Sequence, residues 1–241
     1  MKVVAIIQAR MGSSRLPGKV LMDLGGETVL ARVVRRSRRA RLVDQIVVAT
    51  TILEPDDAIV KECQKLSVSC FRGMEDNVLD RYYRAALNYS ADVIVRITSD
   101  NPLVDPDLID DVVREIFKSR ADYANNRSPR TYPIGLDVEA FTFVALERAW
   151  REAKLPYEQE HVTPYFYEHP RSFHCTSVKG SFDCSDHRWT LDTPEDLKLI
   201  REIYAGLGNK DEFSWSEALA VVRSAASLVD INSHVMQKPL H

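Results

Sequence analysis

The sequence predicts an α/β protein, built as a three-layer, doubly wound, mostly parallel sheet with a small inserted lobe. Three observations carry that expectation. Short apolar runs, first Val3-Val4-Ala5-Ile6-Ile7 and later Ile46-Val47-Val48 and Val93-Ile94-Val95, have the near-continuous hydrophobicity of strands buried on both faces. Segments with helical apolar spacing separate them, which is the alternation that right-handed crossovers of a parallel sheet produce. The 241 residues, 45% hydrophobic and 28% charged, suit a single domain over 1–241 in which 121–181 forms a less regular lobe.

The first strand runs into Gln8-Ala9-Arg10-Met11-Gly12-Ser13-Ser14-Arg15-Leu16-Pro17-Gly18-Lys19. A loop at the carboxyl end of a strand is where open α/β sheets bind ligands. This one carries three cations, Arg10, Arg15 and Lys19, with hydroxyls from Ser13 and Ser14 and two glycines, Gly12 and Gly18, that let backbone amides approach a ligand. Such a set suits a polyphosphate. It is not a Walker A loop, because five residues separate the glycines where four are needed, and Val20 follows Lys19 where Ser or Thr would hold magnesium. The alternative is a solvated basic loop.

A helix is expected over 27–40, with an arginine-rich outer face of Arg32, Arg35, Arg36, Arg38 and Arg39; a solvated face is the expectation, a dock for an acidic partner the alternative. A second strand follows over 45–51, a helix over 56–66 and a short strand over 68–71. Asp80 or Asn77 opens the next helix, where Asp80 and Arg84 stand at ion-pair spacing. The fourth strand, 92–98, ends in Ser99-Asp100-Asn101-Pro102 on the same rim as the first loop. Beside a triphosphate, the work of a carboxylate such as Asp100 is to hold magnesium; Asp105, heading a helix over 105–118, serves better as a cap. Strand segments over 121–126 and 135–141 flank a loop with Arg127, Arg130 and Tyr132. Asp137 reads equally as a site carboxylate and as a strand-end hydrogen-bonder. After a helix over 143–153, another opens near Glu158, with His161 as a base or as a structural hydrogen-bond donor. Trp189-Thr190-Leu191 is strand-like and closes on Asp192, which either caps the 194–204 helix or faces the site with His187 and Arg188 upstream. A short helix over 215–224 and a tail complete the chain.

Ile7-Gln8-Ala9-Arg10 through Leu16-Pro17-Gly18-Lys19, with Val48-Ala49-Thr50-Thr51, Asp80-Arg81, Ser99-Asp100-Asn101-Pro102 and Asp192-Thr193-Pro194-Glu195-Asp196-Leu197, resembles the signatures of the sugar-acid cytidylyltransferases. That family includes the synthetases that activate Kdo and sialic acids as CMP-sugars, and the branch resembled most is the spore-coat polysaccharide type. The likeness runs from residue 2 to about 204. It implies a nucleotide-diphospho-sugar transferase-like fold, CTP as substrate, Mg2+ as cofactor and an acidic sugar or related acceptor. It also implies a role in surface glycan synthesis and a homodimer joined through 121–181. By the resemblance, Ala9, Arg10, Gly12, Ser13, Ser14, Arg15, Lys19, Thr50, Asp80, Arg81 and Asp100 bind the nucleotide. Arg127, Arg130, Tyr132, Asp137, His161 and Arg188 are the acceptor candidates, Asp100 and Asp192 the metal ligands, and Arg15, Lys19 and Asp100 the catalytic groups. Ser99 and Asn101 replace a glycine and a glutamate of the family pattern.

A formal charge of −3 gives no broad electrostatic case for nucleic acid. Cys63, Cys70, Cys175 and Cys184 form no Cys-x-x-Cys pair, so thiols rather than zinc or disulfides are expected. No cleavage-site pattern precedes the first strand and no apolar stretch reaches spanning length, so a cytoplasmic protein without membrane contact is expected. The rival readings are a glycosyltransferase using a nucleotide sugar, which would typically carry an Asp-x-Asp pair where this chain has Ser99-Asp100-Asn101, and a non-catalytic nucleotide-binding subunit.

Overall fold

The structure, a computed structural model, describes residues 1–237. It follows the expected alternation: β1 (Val3–Gln8), α1 (Val29–Ser37), β2 (Gln45–Thr51), α2 (Asp57–Lys65), β3 (Ser69–Gly73), α3 (Val78–Asn88), β4 (Val93–Thr98) and α4 (Pro106–Ser119). Next come β5 (Tyr123–Asn125), β6 (Glu139–Thr142), α5 (Phe143–Glu152), α6 (Pro156–His161), α7 (Pro164–Glu168) and β7 (Cys175–Ser177). The described chain ends with α8 (Pro194–Gly206), α9 (Trp215–Ser224) and α10 (Ala226–Asp230). Part of the expected tail, residues 238–241, lies outside the described residues.

The sheet has seven strands in the order β3-β2-β1-β4-β6-β5-β7. β3, β2, β1 and β4 are mutually parallel; β6 runs antiparallel to both β4 and β5, and β7 parallels β5. Residues 121–181 thus contribute three strands to the one sheet. Alternate strand residues divide the core into two sides. Ala5, Ile7, Val48, Val95 and Ile97 pack against α1, α2 and α4, whereas Val4, Ile6, Val47 and Ile94 pack against α3, α5 and α7. A third cluster, built on Trp189, Leu191, Ile200, Tyr204 and Leu219, seats α8 and α9 over the Leu103–Leu108 region. Among the described residues, no helix is long and apolar enough to cross a membrane.

Two expectations need correction. The arginine face of α1 is not simply solvated: Arg32 is 2% exposed and Arg36 is fully buried. Arg36 donates to the carbonyls of Val104 (2.8 Å) and Asp211 (2.7 Å) and lies 3.7 Å from the centre of the Phe213 ring. Arg32 donates to the carbonyls of Leu24, Gly25 and Asn209 and pairs with Asp211 at 3.1 Å. These guanidinia staple the C-terminal helices to the sheet by satisfying loop carbonyls that would otherwise be buried unpaired. Arg35 and Arg38 keep the exposure expected of a surface. Second, Trp189-Thr190-Leu191 forms no strand. A lone parallel bridge joins Ile134 to Arg188, and the Trp189 and Leu191 amides go to the carbonyls of Ile134 (2.6 Å) and Asp100 (2.8 Å), which are loops rather than a ladder.

Replacing Arg36 by Met keeps the apolar stem but strips the donors from those buried carbonyls. A loss of about 2–4 kcal/mol in unfolding free energy is expected, read from urea denaturation.

Candidate active site

Three segments distant in sequence meet at one rim of the sheet: the loop after β1, the end of β4, and residues 186–196. The loop is closed on itself. Gly18 takes a left-handed conformation (φ 71°), and its amide returns to the Met11 carbonyl at 3.0 Å. From below, Asp56, buried just ahead of α2, accepts the Met11 amide at 2.7 Å, and the Thr51 amide and hydroxyl at 3.1 and 2.5 Å. Asp56 therefore sets the loop against the end of β2; in the sequence it looks like an ordinary first-turn acid. The Ser13 amide, next to Gly12, is spent on the Met11 carbonyl at 3.0 Å.

Lys19 sits at the junction. Its ammonium donates to Asp100 Oδ2 (3.0 Å), Asp192 Oδ1 (2.8 Å) and the Leu191 carbonyl (2.7 Å). Burial works against its charge, but Asp100 and Asp192 outweigh it and raise its pKa above the ordinary lysine value. Asp192 is likewise disfavoured by burial, yet Lys19, Arg15 at 2.8 Å and Arg188 at 2.9 Å hold its carboxyl below the ordinary range. Arg188 also grips the fully buried Asp196 at 3.0 and 3.1 Å and reaches Gln237. Asn232 ties the C-terminal segment to the same place, donating to the Arg188 carbonyl (2.9 Å) and to Asp196 (2.8 Å). The alternative of Asp192 as a helix cap fails: Thr193 is the N-cap of α8, boxed with Asp196, and this leaves the Asp192 carboxylate to the site. Asn77, not Asp80, caps α3. Gly135 permits the close fit of the 186–192 segment, since a Cβ there (φ 107°) would fall 2.4 Å from the Trp189 carbonyl carbon.

On one side of this junction opens a cleft of about 700 Å3. It is lined by Ala9, Arg10, Gly12, Ser13, Ser14, Arg15, Lys19, Arg81 and Asp100, all expected nucleotide contacts, and by Asp192. Arg10 pairs loosely across its mouth with Glu75 at 3.4 Å. Two buried atoms in its wall have no hydrogen-bond partner among the described residues, Gln8 Oε1 and Arg81 Nε. On the other side lies a cavity of about 130 Å3 that shares Thr98, Asp100 and Asp192 and adds Arg96, Asn101, Asp137, Thr190 and Gln237.

Several expected residues sit elsewhere. Thr50 is buried in β2 and does not line the cleft. Asp80 is taken by Arg84 (2.7 Å) and the Trp150 indole (2.9 Å), also outside it. His161 borders the large cleft beside Gln159 and Glu160, and of the other acceptor candidates only Asp137 lines the small cavity. Tyr132 is buried against Trp215, and His187 packs beside Trp189 away from both spaces. Arg130 is bound twice to Asp137 at 2.5 and 2.9 Å. Arg127 lies 3.7 Å from Glu139, a buried carboxylate also held by Arg96 at 2.6 Å and the Tyr123 hydroxyl at 2.5 Å. Burial opposes the Glu139 charge, but Arg96 and Arg127 keep its pKa below the ordinary value. Sequence reading missed Arg96. Its signal was available: one cation inside the apolar run Val93-Ile94-Val95-Arg96-Ile97.

The depressed Asp192 carboxyl contributes stability that is complete above the unfolded aspartate pKa of about 3.9 and is lost as pH falls through its lower folded value. Asp192→Asn should therefore be less stable than the parent at pH 7, and the difference in thermal midpoint should shrink as the pH drops below about 4. A constant gap across that range would mean that Asp192 carries no charge-dependent stability.

A family model described as cytidylyltransferase matches residues 4–227. The spore coat polysaccharide biosynthesis protein SpsF of Bacillus subtilis is 35% identical over 226 residues, covering 91% of this chain and 93% of that protein. The 3-deoxy-manno-octulosonate cytidylyltransferase of an Anaeromyxobacter species is 40% identical over 117 residues, 47% of this chain and 46% of that one. Among solved structures, a cytidylyltransferase from Leptospira borgpetersenii superposes over the whole of both chains with a TM-score of 0.91 at 34% identity.

Proposed function

The chain belongs to the cytidylyltransferase family, and from that premise we propose that it transfers CMP from CTP to a hydroxyl of an acidic sugar or related small molecule, with release of pyrophosphate. The SpsF relative supports a place in surface polysaccharide synthesis, and the 3-deoxy-manno-octulosonate cytidylyltransferase supports an acidic sugar as acceptor. The observation that carries the reading is the placement of Lys19, Asp100 and Asp192 between a cation-lined cleft and a second, smaller cavity. A triphosphate in the first and a hydroxyl in the second meet at that partition.

In the reaction the acceptor oxygen bonds to the α-phosphorus, the bond from that phosphorus to the β-phosphate oxygen breaks, and pyrophosphate leaves with the electron pair. The hydroxyl proton passes to water. Positioning and charge neutralisation supply the rate. Arg10 and Arg15 would hold the outer phosphates, with Arg10 exchanging its exposed partner Glu75 for them. Lys19, already fixed by two carboxylates, would meet the charge growing on the leaving group. The unpaired Gln8 Oε1 and Arg81 Nε offer one acceptor and one donor, which complements the amine and ring-acceptor edge of cytosine.

Magnesium belongs to the proposal. Asp100 and Asp192 are hard oxygen donors, and among the described residues no three His, Cys, Asp or Glu side chains form a metal cluster. Such a pair suits an ion whose other ligands are phosphate oxygens and water. Asp100 is the better placed: its side chain is 27% exposed and, among the described residues, holds only Lys19 and the Thr98 hydroxyl, whereas Asp192 already serves three cations. Bound there, magnesium would neutralise charge on the polyphosphate. A cytoplasmic homodimer joined through 121–181 completes the reading, supported by exposed Val144 and Leu155 on that segment.

The test is pyrophosphate release with each common nucleoside triphosphate, magnesium and a panel of sugar acids. CTP should be preferred, and Lys19→Ala and Asp100→Ala should each lower kcat/KM by about a hundredfold or more. Transfer from a nucleotide sugar without pyrophosphate formation would overturn the assignment.

A further inference from the structure

Far from the cleft, α2 lies on the edge strand β3, and residues 70 and 72 share the strand face that meets it. Arg72 pairs with Asp57 at the start of the helix, and further along it Cys70 meets Cys63, thiol hydrogen-bonded to thiol. The turn between helix and strand makes this contact. The Leu66 amide returns to the Glu62 carbonyl and the Val68 amide to the Cys63 carbonyl, both at 3.0 Å, while Ser67 takes the left-handed conformation (φ 49°). The chain therefore doubles back, and two cysteines seven positions apart come side by side. They differ in surroundings. Cys63 is buried, whereas Cys70 packs on the same core cluster but is only half-buried. Cys63 donates the hydrogen bond, which together with burial pushes its pKa well up. Cys70 accepts it, and this bond with the Arg72 guanidinium holds its thiol below the ordinary cysteine value, against burial and Asp56. Burial pushes Cys175 and Cys184 the other way.

We propose that Cys70 and Cys63 form a reversible modification site for peroxides, with Cys70 as the thiol attacked and Cys63 as the thiol that resolves it. The Cys70 thiolate attacks one oxygen of the peroxide; an S–O bond forms, the O–O bond breaks, and hydroxide leaves with the electron pair and takes up the proton that Cys70 lost. The Cys63 sulfur then displaces the oxygen from Cys70. A disulfide forms, and the oxygen departs as water with the Cys63 proton. The peroxide gains the two electrons that the thiols lose. A low thiol pKa and partial exposure suit Cys70 to the first step, and contact with Cys63 suits the pair to the second. The gain to the protein is that oxidation halts at a disulfide, which a dithiol reverses, before Cys70 reaches sulfinic acid, which a dithiol does not reverse. Neither cysteine lines the cleft or the small cavity, so this chemistry is independent of the nucleotide reaction.

The test exposes the reduced full chain to hydrogen peroxide, blocks remaining thiols with N-ethylmaleimide in denaturant, and maps tryptic peptides by mass spectrometry without reduction. Trypsin cuts after Lys61, Lys65 and Arg72, so the bridge appears as peptide 62–65 joined to peptide 66–72, lighter than their sum by two hydrogens. It should form at least about tenfold faster than any oxidation of Cys175 or Cys184, and dithiothreitol should restore both thiols. In Cys63→Ala, folded by its thermal midpoint, dimedone should trap a sulfenic acid on Cys70, and excess peroxide should carry Cys70 to sulfinic acid that dithiothreitol does not restore. In Cys70→Ala, Cys63 should remain a thiol. The proposal falls if the parent chain gives no 62–65/66–72 bridge, if Cys175 or Cys184 oxidises first, or if Cys70 in Cys63→Ala resists overoxidation as well as it does in the parent. The parent chain alone decides the first two outcomes, so neither depends on a variant folding.

Discussion

The Lys19 ammonium, held by two carboxylates and a carbonyl, is the interaction on which the site depends. An ammonium this buried persists as a charge only if its surroundings return what water would have given. Asp100, Asp192 and the Leu191 carbonyl do so, and they come from 81, 173 and 172 positions down the chain. Satisfying one cation therefore fixes the first loop, the end of β4 and the segment before α8 in one geometry. Arg15 and Arg188 extend the lattice on either side of Asp192, and through Asp196 and Asn232 it reaches the C-terminal segment.

That lattice explains why the fold and the site are hard to separate here. The parallel strands put the first loop and Asp100 on one rim, as the carboxyl ends of β1 and β4 must lie together when they are hydrogen-bonded neighbours in register. The sheet does not place Asp192. Its position comes from the close seating of Trp189 over Gly135 and from the cap at Thr193, two local devices that bring a non-strand segment to the rim. The partition between cleft and cavity is consequently made of side chains that carry charge, and charge is what phosphoryl chemistry needs at that place.

Much of this was legible in the sequence. β1, β2 and β4 declare themselves because strands buried on both faces have no polar side to blur the pattern, and the first loop stands out because its cations crowd behind the first of them. What was not legible depends on partners supplied by distant loops. Arg32 and Arg36 look like a charged helix face until the carbonyls at 24–25, 103–104 and 209–211 are folded around them. Trp189-Thr190-Leu191 has the side chains of a strand, but its neighbours offer loops, so the hydrogen bonds it makes are not a ladder. Asp56 and Glu139 pass unnoticed because an isolated acid carries no sign of what it will hold. Arg96 is the opposite case, an anomaly in plain view whose meaning appears only when its partner Glu139 is seen to be shared.

The distances along the chain that Lys19 spans also bear on how the molecule is made. Synthesis delivers β1 to β4 and their helices first, and those strands contain the local crossovers that a nascent chain can assemble early. Asp192 and Arg188 emerge much later. Until they do, Lys19 has Asp100 alone, and the partition has no second wall. The site is thus completed only by residues made after the parallel core. Asn232 and Gln237 tie that late segment to Arg188, so a loosening of it would remove contacts from the site while leaving the contacts of the parallel core in place.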